Sequence, residues 1–379
     1  MLNLKCHSNF SELHSSKNMS RVVSKRLFDF PLTGLYDDDV AAHDAETMEQ
    51  LVSSKEGMEI MQKMMELSSK DDTESNMQYV TIFRDMMDGL IKPYWTNNPI
   101  LDTAMAEITV KEIKVPTTHD GEFDVPVFKY TPKKLETNGA KQVAYIYAHG
   151  GGAVGIEAST YKPILAYYAV DCNVVVFNVD YRIAPETKCP NNVKDFYEVV
   201  KYVHANADML GIDSNKIVIG GESGGGYITL GAMVLLAQRD EGNLVKLAIP
   251  SIPMVDDYAY SDPASMTIEE REFIPNMRKI WTLIADDFDR QKNDPLLFPG
   301  KASDELLEKF PPTIVEEVEF DMYITEATRL ANRLRRAGRL LEFVVVPGAK
   351  HGSNLNPALK CFKVAADAKK LMFRHYVHD

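Results

Sequence analysis

The chain has 379 residues, of which 45% are hydrophobic and 26% are charged, so it can bury a substantial core and is neither a disordered nor a fibrous protein. At about 150 residues per domain, this length predicts two domains or one large domain with additions. The 42 Lys and Arg against 55 Asp and Glu give a net charge of −13, which would repel a phosphate backbone and argues against nucleic acid as a partner.

The amino-terminal segment, residues 1–30, is predicted to be a poorly ordered tail. Its first 26 residues are rich in Ser and carry five basic residues against a single acid, Glu12. This composition also resembles a mitochondrial transit peptide, but the apolar positions form no helical stripe, which favours the tail. No apolar h-region is present, so a secretory signal is not expected.

The next segment, residues 31–105, is predicted to be mainly helical. Between residues 37 and 92 apolar side chains recur at spacings of three and four, among them Met58, Met61 and Met65. Pro93 is expected to stop this helical run. A methionine-rich helical face packs into a core or forms a pliable wall over a binding pocket, and both interpretations stay open at this point.

The pattern then changes to strands. Glu107–Val115 and Phe123–Tyr130 alternate between apolar and polar residues around the turn pair Asp120-Gly121, and they predict a hairpin. Six short apolar runs follow as predicted strands: Val143–Ala148, Val174–Val179, Lys216–Ile219, Val245–Ile249, Thr313–Val318 and Leu341–Val346. Helical patterns lie between and after them, near residues 160–170, 191–207, 224–239, 325–337 and 357–376. This alternation predicts an α/β fold with a mostly parallel sheet covered on both faces. The interval 254–310 breaks the alternation and is predicted to be an insertion over the sheet edge.

The cysteine content and the hydropathy bear on where the protein works. The four cysteines, Cys6, Cys172, Cys189 and Cys361, include no C-x-x-C pair, so no zinc or thioredoxin-type site is predicted. So few cysteines indicate a reducing compartment, and we expect a cytoplasmic location, although the even number leaves a disulfide open. No apolar run approaches the roughly 20 residues that a membrane span needs.

A G-x-S-x-G motif at residues 221–225 lies between a predicted strand and a predicted helix. A sharp strand-to-helix turn needs small neighbours, and it presents the serine hydroxyl clear of the backbone. Ser223 is therefore the candidate nucleophile, with the N–H of Gly224 beside it. An ordinary serine in a glycine-rich turn is the alternative, and the strand–helix context argues against it.

A second motif, H-G-G-G at residues 149–152, follows the strand Val143–Ala148. Three glycines let the backbone approach a ligand closely and aim N–H groups at it. Together with the N–H of Gly224, those of Gly151 and Gly152 are candidates to hold the oxygen of a tetrahedral intermediate. A flexible loop is the alternative, but two such motifs after predicted strands are hard to explain by chance.

A serine nucleophile needs a base, and the base needs an acid that fixes its tautomer. His351 follows the last predicted strand, where it would reach the same end of the sheet as Ser223. Asp321 follows the strand Thr313–Val318 and is the candidate acid. Glu319 and Glu326 are its rivals, and the alternative role of Asp321 is to cap the following helix.

These motifs resemble those of the hormone-sensitive-lipase-type α/β-hydrolases, a family of bacterial esterases, arylacetamide deacetylases and plant carboxylesterases. The resemblance covers about residues 106–376. Its motifs are Asp120-Gly121, H-G-G-G at 149–152, D-Y-R-I-A-P-E at 180–186, G-E-S-G-G at 221–225, Pro311-Pro312, E-F-D at 319–321 and G-A-K-H-G at 348–352. The chain order Ser, Asp, His is also the order expected of this fold.

The resemblance implies an α/β-hydrolase fold with an eight-stranded sheet, a catalytic domain over residues 106–379, and a helical cap formed by residues 31–105 and an insertion at about 254–310. It implies that Ser223, Asp321 and His351 are the catalytic residues and that Gly151, Gly152 and Gly224 form the oxyanion hole. By analogy, residues 180–186 brace the oxyanion loop. The resemblance also implies a small-molecule ester substrate and no metal or organic cofactor. Members of the family are often homodimers, and the oligomeric state of this chain stays open.

Several positions depart from the family pattern. Glu222 replaces the usual Asp, Gly224 the usual Ala, and Ala153 the usual aromatic residue, while Met322-Tyr323 replaces Pro-Leu and Ser353 a frequent Phe. None of these changes removes a reacting group, but several alter the pocket walls. The physiological substrate is therefore not predicted, and ester, lactone, thioester and activated amide stay open.

The predicted function is a serine carboxylesterase for short- to medium-chain acyl esters. The alternative is a catalytically silent small-molecule receptor of the same fold, as in the plant gibberellin receptors, which have lost the base. The presence of His351 argues against it. A membrane-associated lipase is a third hypothesis, and the net charge of −13 argues against binding to anionic bilayers.

Overall fold

The computed structural model describes residues 37–43, 55–117, 119, 123–136, 139–257 and 268–378. Its framework is one eight-stranded sheet in the order β1-β2-β4-β3-β5-β6-β7-β8. The strands are β1 Ile108–Thr117, β2 Phe123–Pro132, β3 Gln142–Ala148, β4 Val175–Val179, β5 Ile212–Glu222, β6 Leu247–Ser251, β7 Thr313–Phe320 and β8 Leu340–Lys350. The predicted number of strands is confirmed.

The sheet is mostly parallel, as predicted. β2 pairs antiparallel with both β1 and β4, whereas β4, β3, β5, β6, β7 and β8 run parallel to one another in that order. Successive residues of β3 enter two different cores: Ile146 joins the cluster on one face and Tyr147 the cluster on the other. Because both faces of these strands are covered, their sequences are almost continuously apolar.

Helices cover the two faces. Besides a short helical stretch at residues 38–43, the α-helices of the described residues are α1 Lys55–Ser68, α2 Thr73–Trp95, α3 Pro99–Ala106, α4 Lys133–Glu136, α5 Lys162–Asp171, α6 Asn191–Ala205, α7 Ala207–Leu210, α8 Gly224–Gln238, α9 Ile268–Ile284, α10 Phe288–Gln291, α11 Asp304–Leu307, α12 Ile324–Arg336 and α13 Lys360–Phe373. α6, α8 and α12 pack into the core that contains Ile146, and α5 and α13 into the core that contains Tyr147. The predicted α/β-hydrolase architecture is confirmed.

The helix α2 corrects one prediction, because Pro93 lies inside it and the helix ends at Trp95. A proline inside a helix removes one hydrogen bond and its ring clashes with the carbonyl group four residues earlier, at a cost of about 3 kcal/mol. Tertiary contacts of Trp95 outweigh it: its indole Nε1–H donates to the Leu355 carbonyl oxygen at 2.9 Å, and its ring packs edge-on against Tyr161 at 4.8 Å.

The helical segment before the sheet and the insertion after β6 contact each other. Tyr79 of α2 donates its hydroxyl to Oδ1 of Asn276 in α9 at 3.3 Å. The ammonium group of Lys279, also in α9, bonds the Lys70 carbonyl oxygen in the turn between α1 and α2. Trp281 is fully buried and anchors α9 to the body of the protein. The two predicted cap segments are therefore joined, and their role as a cap stays a proposal.

Several sequence predictions concern other features of the chain. The tail, residues 1–30, and the turn pair Asp120-Gly121 lie outside the described residues. Cys172, Cys189 and Cys361 are buried free thiols. Within the described ranges, no three His, Cys, Asp or Glu side chains come together as a metal site, and no helix is long and apolar enough to cross a membrane.

Candidate active site

Ser223 lies at the turn between β5 and α8, with φ of 56° and ψ of −117°. Residues with side chains rarely adopt a positive φ, and the Ser223 N–H is held by the Ser251 carbonyl oxygen at 3.0 Å. A side chain at Gly221 or Gly225 would collide with the carbonyl oxygen of Ala148 in β3. The glycines of the motif are thus required for the chain to turn sharply against β3.

This turn brings the Ser223 hydroxyl to His351. Ser223 Oγ is 2.9 Å from His351 Nε2, and His351 Nδ1 is 2.7 Å from Oδ2 of Asp321. The second carboxylate oxygen, Oδ1, accepts the N–H of Tyr323 at 2.8 Å. Asp321 is fully buried, whereas 21% of the His351 side chain is exposed. A carboxylate that accepts the Nδ1 proton turns the Nε2 lone pair toward the hydroxyl, which is the tautomer needed to accept the serine proton.

The two rival carboxylates, Glu319 and Glu326, lie on β7 and α12. Glu319, still inside β7, accepts the N–H of Gly348 through Oε2 at 2.8 Å. Glu326 lies in the first turn of α12 and is buried. Of the three candidates, Asp321 is the one that the structure places in hydrogen-bond contact with His351.

Residues 149–155, here called the glycine loop, follow β3 and reach the start of α8. Gly151, Gly152 and Ala153 have φ values of 93°, 63° and 55°. A Cβ at Gly224 would lie 2.5 Å from the Gly152 nitrogen and would collide with the Ala153 nitrogen. Glycine at 224 thus allows the loop backbone to approach α8 more closely than the usual alanine would. The structure brings Gly152 to Gly224, with Gly151 one residue earlier in the loop.

The histidine that opens the glycine loop is a structural group. His149 is fully buried and stacks on Tyr181 at 4.3 Å between ring centroids, and its backbone oxygen accepts the Tyr181 hydroxyl at 2.7 Å. Its Nδ1 is 3.0 Å from the Gly150 carbonyl oxygen, so Nδ1 carries the proton. Burial lowers the pKa of His149 to about 4, which keeps the ring neutral near pH 7.

Sequence reasoning missed a buried polar group beneath the Ser223 turn. Glu316 of β7 bonds both the Ser251 hydroxyl and the ammonium group of Lys369 in α13. The Ser251 carbonyl oxygen accepts the Ser223 N–H. The buried ion pair between Glu316 and Lys369 therefore contacts the residue that fixes the turn. Nearby, burial raises the pKa of Glu222 to about 8. The available signal was the Glu316-Glu317 pair inside an apolar strand, since charged residues are rarely buried without a partner.

Side chains of α2 and α9 lie beside the glycine loop. A Cβ at Gly152 would lie 3.3 Å from Ile280 Cγ2 of α9 and 3.9 Å from Phe83 Cζ of α2. The ring of Tyr323 lies edge-on to the His351 ring, with 5.3 Å between their centroids. Side chains from separate segments therefore contact the glycine loop and His351.

Comparisons with known proteins identify the fold family of the chain. A family model of the alpha/beta hydrolase fold matches residues 145–355. The carboxylesterase NlhH of Mycobacterium tuberculosis is 26% identical over 303 residues, which cover 72% of this chain and 90% of that protein. An arylesterase of Saccharolobus solfataricus is 29% identical over 64% of this chain and 76% of its own length. Among solved structures, a bacterial heroin esterase superposes with a TM-score of 0.68 at 27% identity, covering 78% of this chain and 91% of its own.

Proposed function

Because the chain belongs to the hormone-sensitive-lipase-type α/β-hydrolases, we propose that this carboxylesterase cleaves short- to medium-chain acyl esters with Ser223, His351 and Asp321. The observation that carries the proposal is the continuous hydrogen-bond chain from Ser223 Oγ through the imidazole to the Asp321 carboxylate, at 2.9 and 2.7 Å. The similarity to proteins named carboxylesterase and arylesterase supports the same reaction class.

The proposed reaction has two halves. Ser223 Oγ attacks the ester carbonyl carbon while His351 Nε2 takes the hydroxyl proton, and the buried Asp321 carboxylate stabilises the imidazolium. The tetrahedral intermediate collapses, His351 gives its proton to the leaving alcohol, and an acyl-serine ester is left. Water then attacks the acyl group through the same base, which releases the acid and restores the serine.

The glycine loop is proposed to stabilise the negative oxygen of both intermediates. The N–H groups of Gly151, Gly152 and Gly224 are assigned to this task because the loop backbone contacts the start of α8 beside Ser223. Donors that are already fixed in place need no reorganisation as the charge develops, so they lower the barrier more than flexible donors could.

The substrate range is proposed from the side chains that lie beside the loop. Phe83 and Ile280 reach Gly152 from α2 and α9, so residues 31–105 and 254–310 would act together as a cap that limits acyl length. Ala153 stands where the family usually has an aromatic residue, and this smaller side chain is expected to leave room for more than an acetyl group. The same chemistry attacks lactones, thioesters and activated amides. A silent receptor is not favoured, because the base is present and bonded to Ser223.

The test replaces the nucleophile. In purified Ser223→Ala protein, kcat for 4-nitrophenyl butyrate is expected to fall by roughly a million-fold, as in other serine triads. A fluorophosphonate probe is expected to label the wild type once and the variant not at all. Ser159→Ala, on an exposed serine, is the matched control and keeps both activity and labelling. Labelling that survives Ser223→Ala would refute the assignment.

A further inference from the structure

Arg84 of α2 makes hydrogen bonds to three residues in two separate loops. Its Nε–H donates to the Val154 carbonyl oxygen of the glycine loop at 2.8 Å, and Nη2 donates to the Ala184 carbonyl oxygen at 3.0 Å. Nη1 and Nη2 also donate to the two carboxylate oxygens of Glu186, at 2.8 and 2.7 Å. This paired contact holds the pKa of Glu186 below its usual value. One guanidinium therefore links a helix before the sheet to two loops around the proposed active site.

The glycine loop needs support from outside itself. Gly151, Gly152 and Ala153 all have positive φ, and for Ala153 this conformation is unfavourable by itself. Such a backbone persists only where surrounding contacts fix it.

Three carbonyl oxygens of the loop receive bonds from other segments. His149 accepts from the Tyr181 hydroxyl, Ala153 accepts from the Ala184 N–H at 2.8 Å, and Val154 accepts from Arg84. Of these three bonds, the one from Arg84 ties the loop to α2. Since Arg84 also bonds the Ala184 carbonyl oxygen, it holds both the loop and the segment that braces it.

The neighbouring residue of α2 presses on the same loop. A Cβ at Gly155 would lie 3.0 Å from Cε1 of Phe83, so the ring packs directly on the loop backbone. Phe83 packs against the loop, and Arg84 orients it through hydrogen bonds. A planar guanidinium can bind several acceptors at once in fixed directions. A lysine has a single ammonium group and cannot reproduce this set of bonds.

We propose that Arg84 is a positioning residue, which acts through the glycine loop to hold the Gly151 and Gly152 N–H groups where the oxyanion forms. This inference rests on the proposed function of the loop. On this proposal, α2 contributes to catalysis by positioning the oxyanion hole, in addition to its contribution to the pocket wall.

The test compares Arg84→Ala, Arg84→Lys and Glu186→Gln with Lys92→Ala. Lys92 makes an exposed pair with Asp88 on the same helix and is the matched control. Removing one oxyanion donor costs roughly 100- to 1,000-fold in kcat, so a displaced loop is expected to cost about 10- to 100-fold in Arg84→Ala with KM changed less than about 2-fold. Arg84→Lys and Glu186→Gln are expected to show smaller losses in kcat, and Lys92→Ala none.

Two readouts separate positioning from general destabilisation. A trifluoromethyl ketone forms a tetrahedral adduct with an oxyanion, and its affinity for Arg84→Ala is expected to fall in parallel with kcat/KM. The corresponding secondary alcohol forms no adduct, and its affinity is expected to stay constant. Guanidinium ion at millimolar concentration is expected to restore part of the kcat of Arg84→Ala and to leave the kcat of Lys92→Ala unchanged.

An unchanged kcat in Arg84→Ala would overturn the inference. A rise in KM with kcat constant would also overturn it, because the residue would then act on substrate binding. If Arg84→Ala does not fold, the same comparison with Arg84→Lys and Glu186→Gln decides. Esterase activity of the wild type and its loss in Ser223→Ala test the proposed function separately, so a failure of either claim is recognisable.

Discussion

Asp321 and Glu319 are two residues apart, and the strand geometry gives them different partners. Asp321 bonds His351, whereas Glu319 bonds the backbone at Gly348. An amide at 321 would favour the wrong tautomer of His351, so Asp321→Asn is expected to lower kcat by roughly 10⁴-fold. Glu319→Gln keeps an oxygen acceptor for the Gly348 N–H and is expected to change kcat by less than about 10-fold. Kinetics with 4-nitrophenyl butyrate check both, and a larger loss in Glu319→Gln would mean that the acid is wrongly assigned.

Glu222, next to the nucleophile, makes the stability of the protein depend on pH. Burial raises its pKa to about 8, whereas an unfolded chain would ionise it near 4.5. Between these values the folded state binds one more proton than the unfolded state, so the contribution of Glu222 is lost as pH rises from 4.5 through 8. The loss is on the order of a few kcal/mol by pH 8.

Glu222→Gln removes this titration. Its Tm is expected to exceed that of the wild type by an amount that grows between pH 5 and 8.5. His149 titrates in the opposite sense, since its lowered pKa costs stability as pH falls below 6.5, and it cancels when the two proteins are compared at each pH. Glu308→Gln, on an exposed carboxylate, is the control and is expected to give a constant difference. A constant difference for Glu222→Gln would show that this carboxyl is not held protonated.

At the scale of the elements, the sequence predicted that the candidate residues meet, because each of their motifs follows an apolar run that predicts a strand. The carboxyl ends of parallel strands meet at one edge of a sheet, so residues that follow β3, β5, β7 and β8 must converge there. Strand ends were harder: β5 was predicted as Lys216–Ile219 and spans Ile212–Glu222, since its first residues are polar and show no alternation.

Contacts between distant segments left no local signal. The hydrogen bonds from Arg84 to Val154 and Glu186 join residues that are 70 and 102 positions apart in the sequence. Periodic patterns of apolar residues cannot predict contacts at such separations. The continuation of α2 through Pro93 likewise depends on the packing of Trp95. Burial of Glu222 could not be predicted either, because a carboxylate beside a nucleophile is equally compatible with solvent.

The helices α2 and α9 lead to a prediction about acyl length. If Phe83 and Ile280 close the pocket, each added CH₂ contributes about 0.8 kcal/mol, or roughly 4-fold in kcat/KM, until the pocket is full. The optimum of the wild type is expected between butyrate and hexanoate. Ile280→Ala is expected to move it to longer chains, and Met77→Ala, on the exposed face of α2, to leave it unchanged.

A panel of 4-nitrophenyl esters from acetate to palmitate measures this optimum for the wild type and both variants. A steady rise in kcat/KM out to palmitate, with activation at an oil–water interface, would show an open lipase groove instead of a bounded pocket. An optimum that does not move in Ile280→Ala would remove α9 from the pocket wall.

At the scale of the whole molecule, the segment before the sheet is tied to the catalytic body at several points. The Asp37 N–H donates to the Gly348 carbonyl oxygen at 3.1 Å, three residues before His351. Val40 is buried in a cluster with Val346 and Ala349 of β8. Arg84 donates a hydrogen bond to the glycine loop, and Trp95 donates one to the Leu355 carbonyl oxygen. The cytoplasmic location stays a prediction, and whether the chain forms a homodimer stays open.

These contacts predict that the effect of shortening the chain depends sharply on the position of the cut. Removing residues 1–30 is expected to leave kcat/KM within about 2-fold of the wild type, because that tail has no apolar stripe to pack. Removing residues 1–43 also deletes the contacts of Asp37 and Val40 with the loop that carries His351, and is expected to lower both Tm and kcat. Removing residues 1–100 uncovers the apolar surface beneath α2 and is expected to give insoluble or inactive protein. Solubility, Tm and butyrate hydrolysis of the three shortened proteins measure the effect, and full activity after loss of residues 1–100 would show that α2 supports neither the glycine loop nor the pocket.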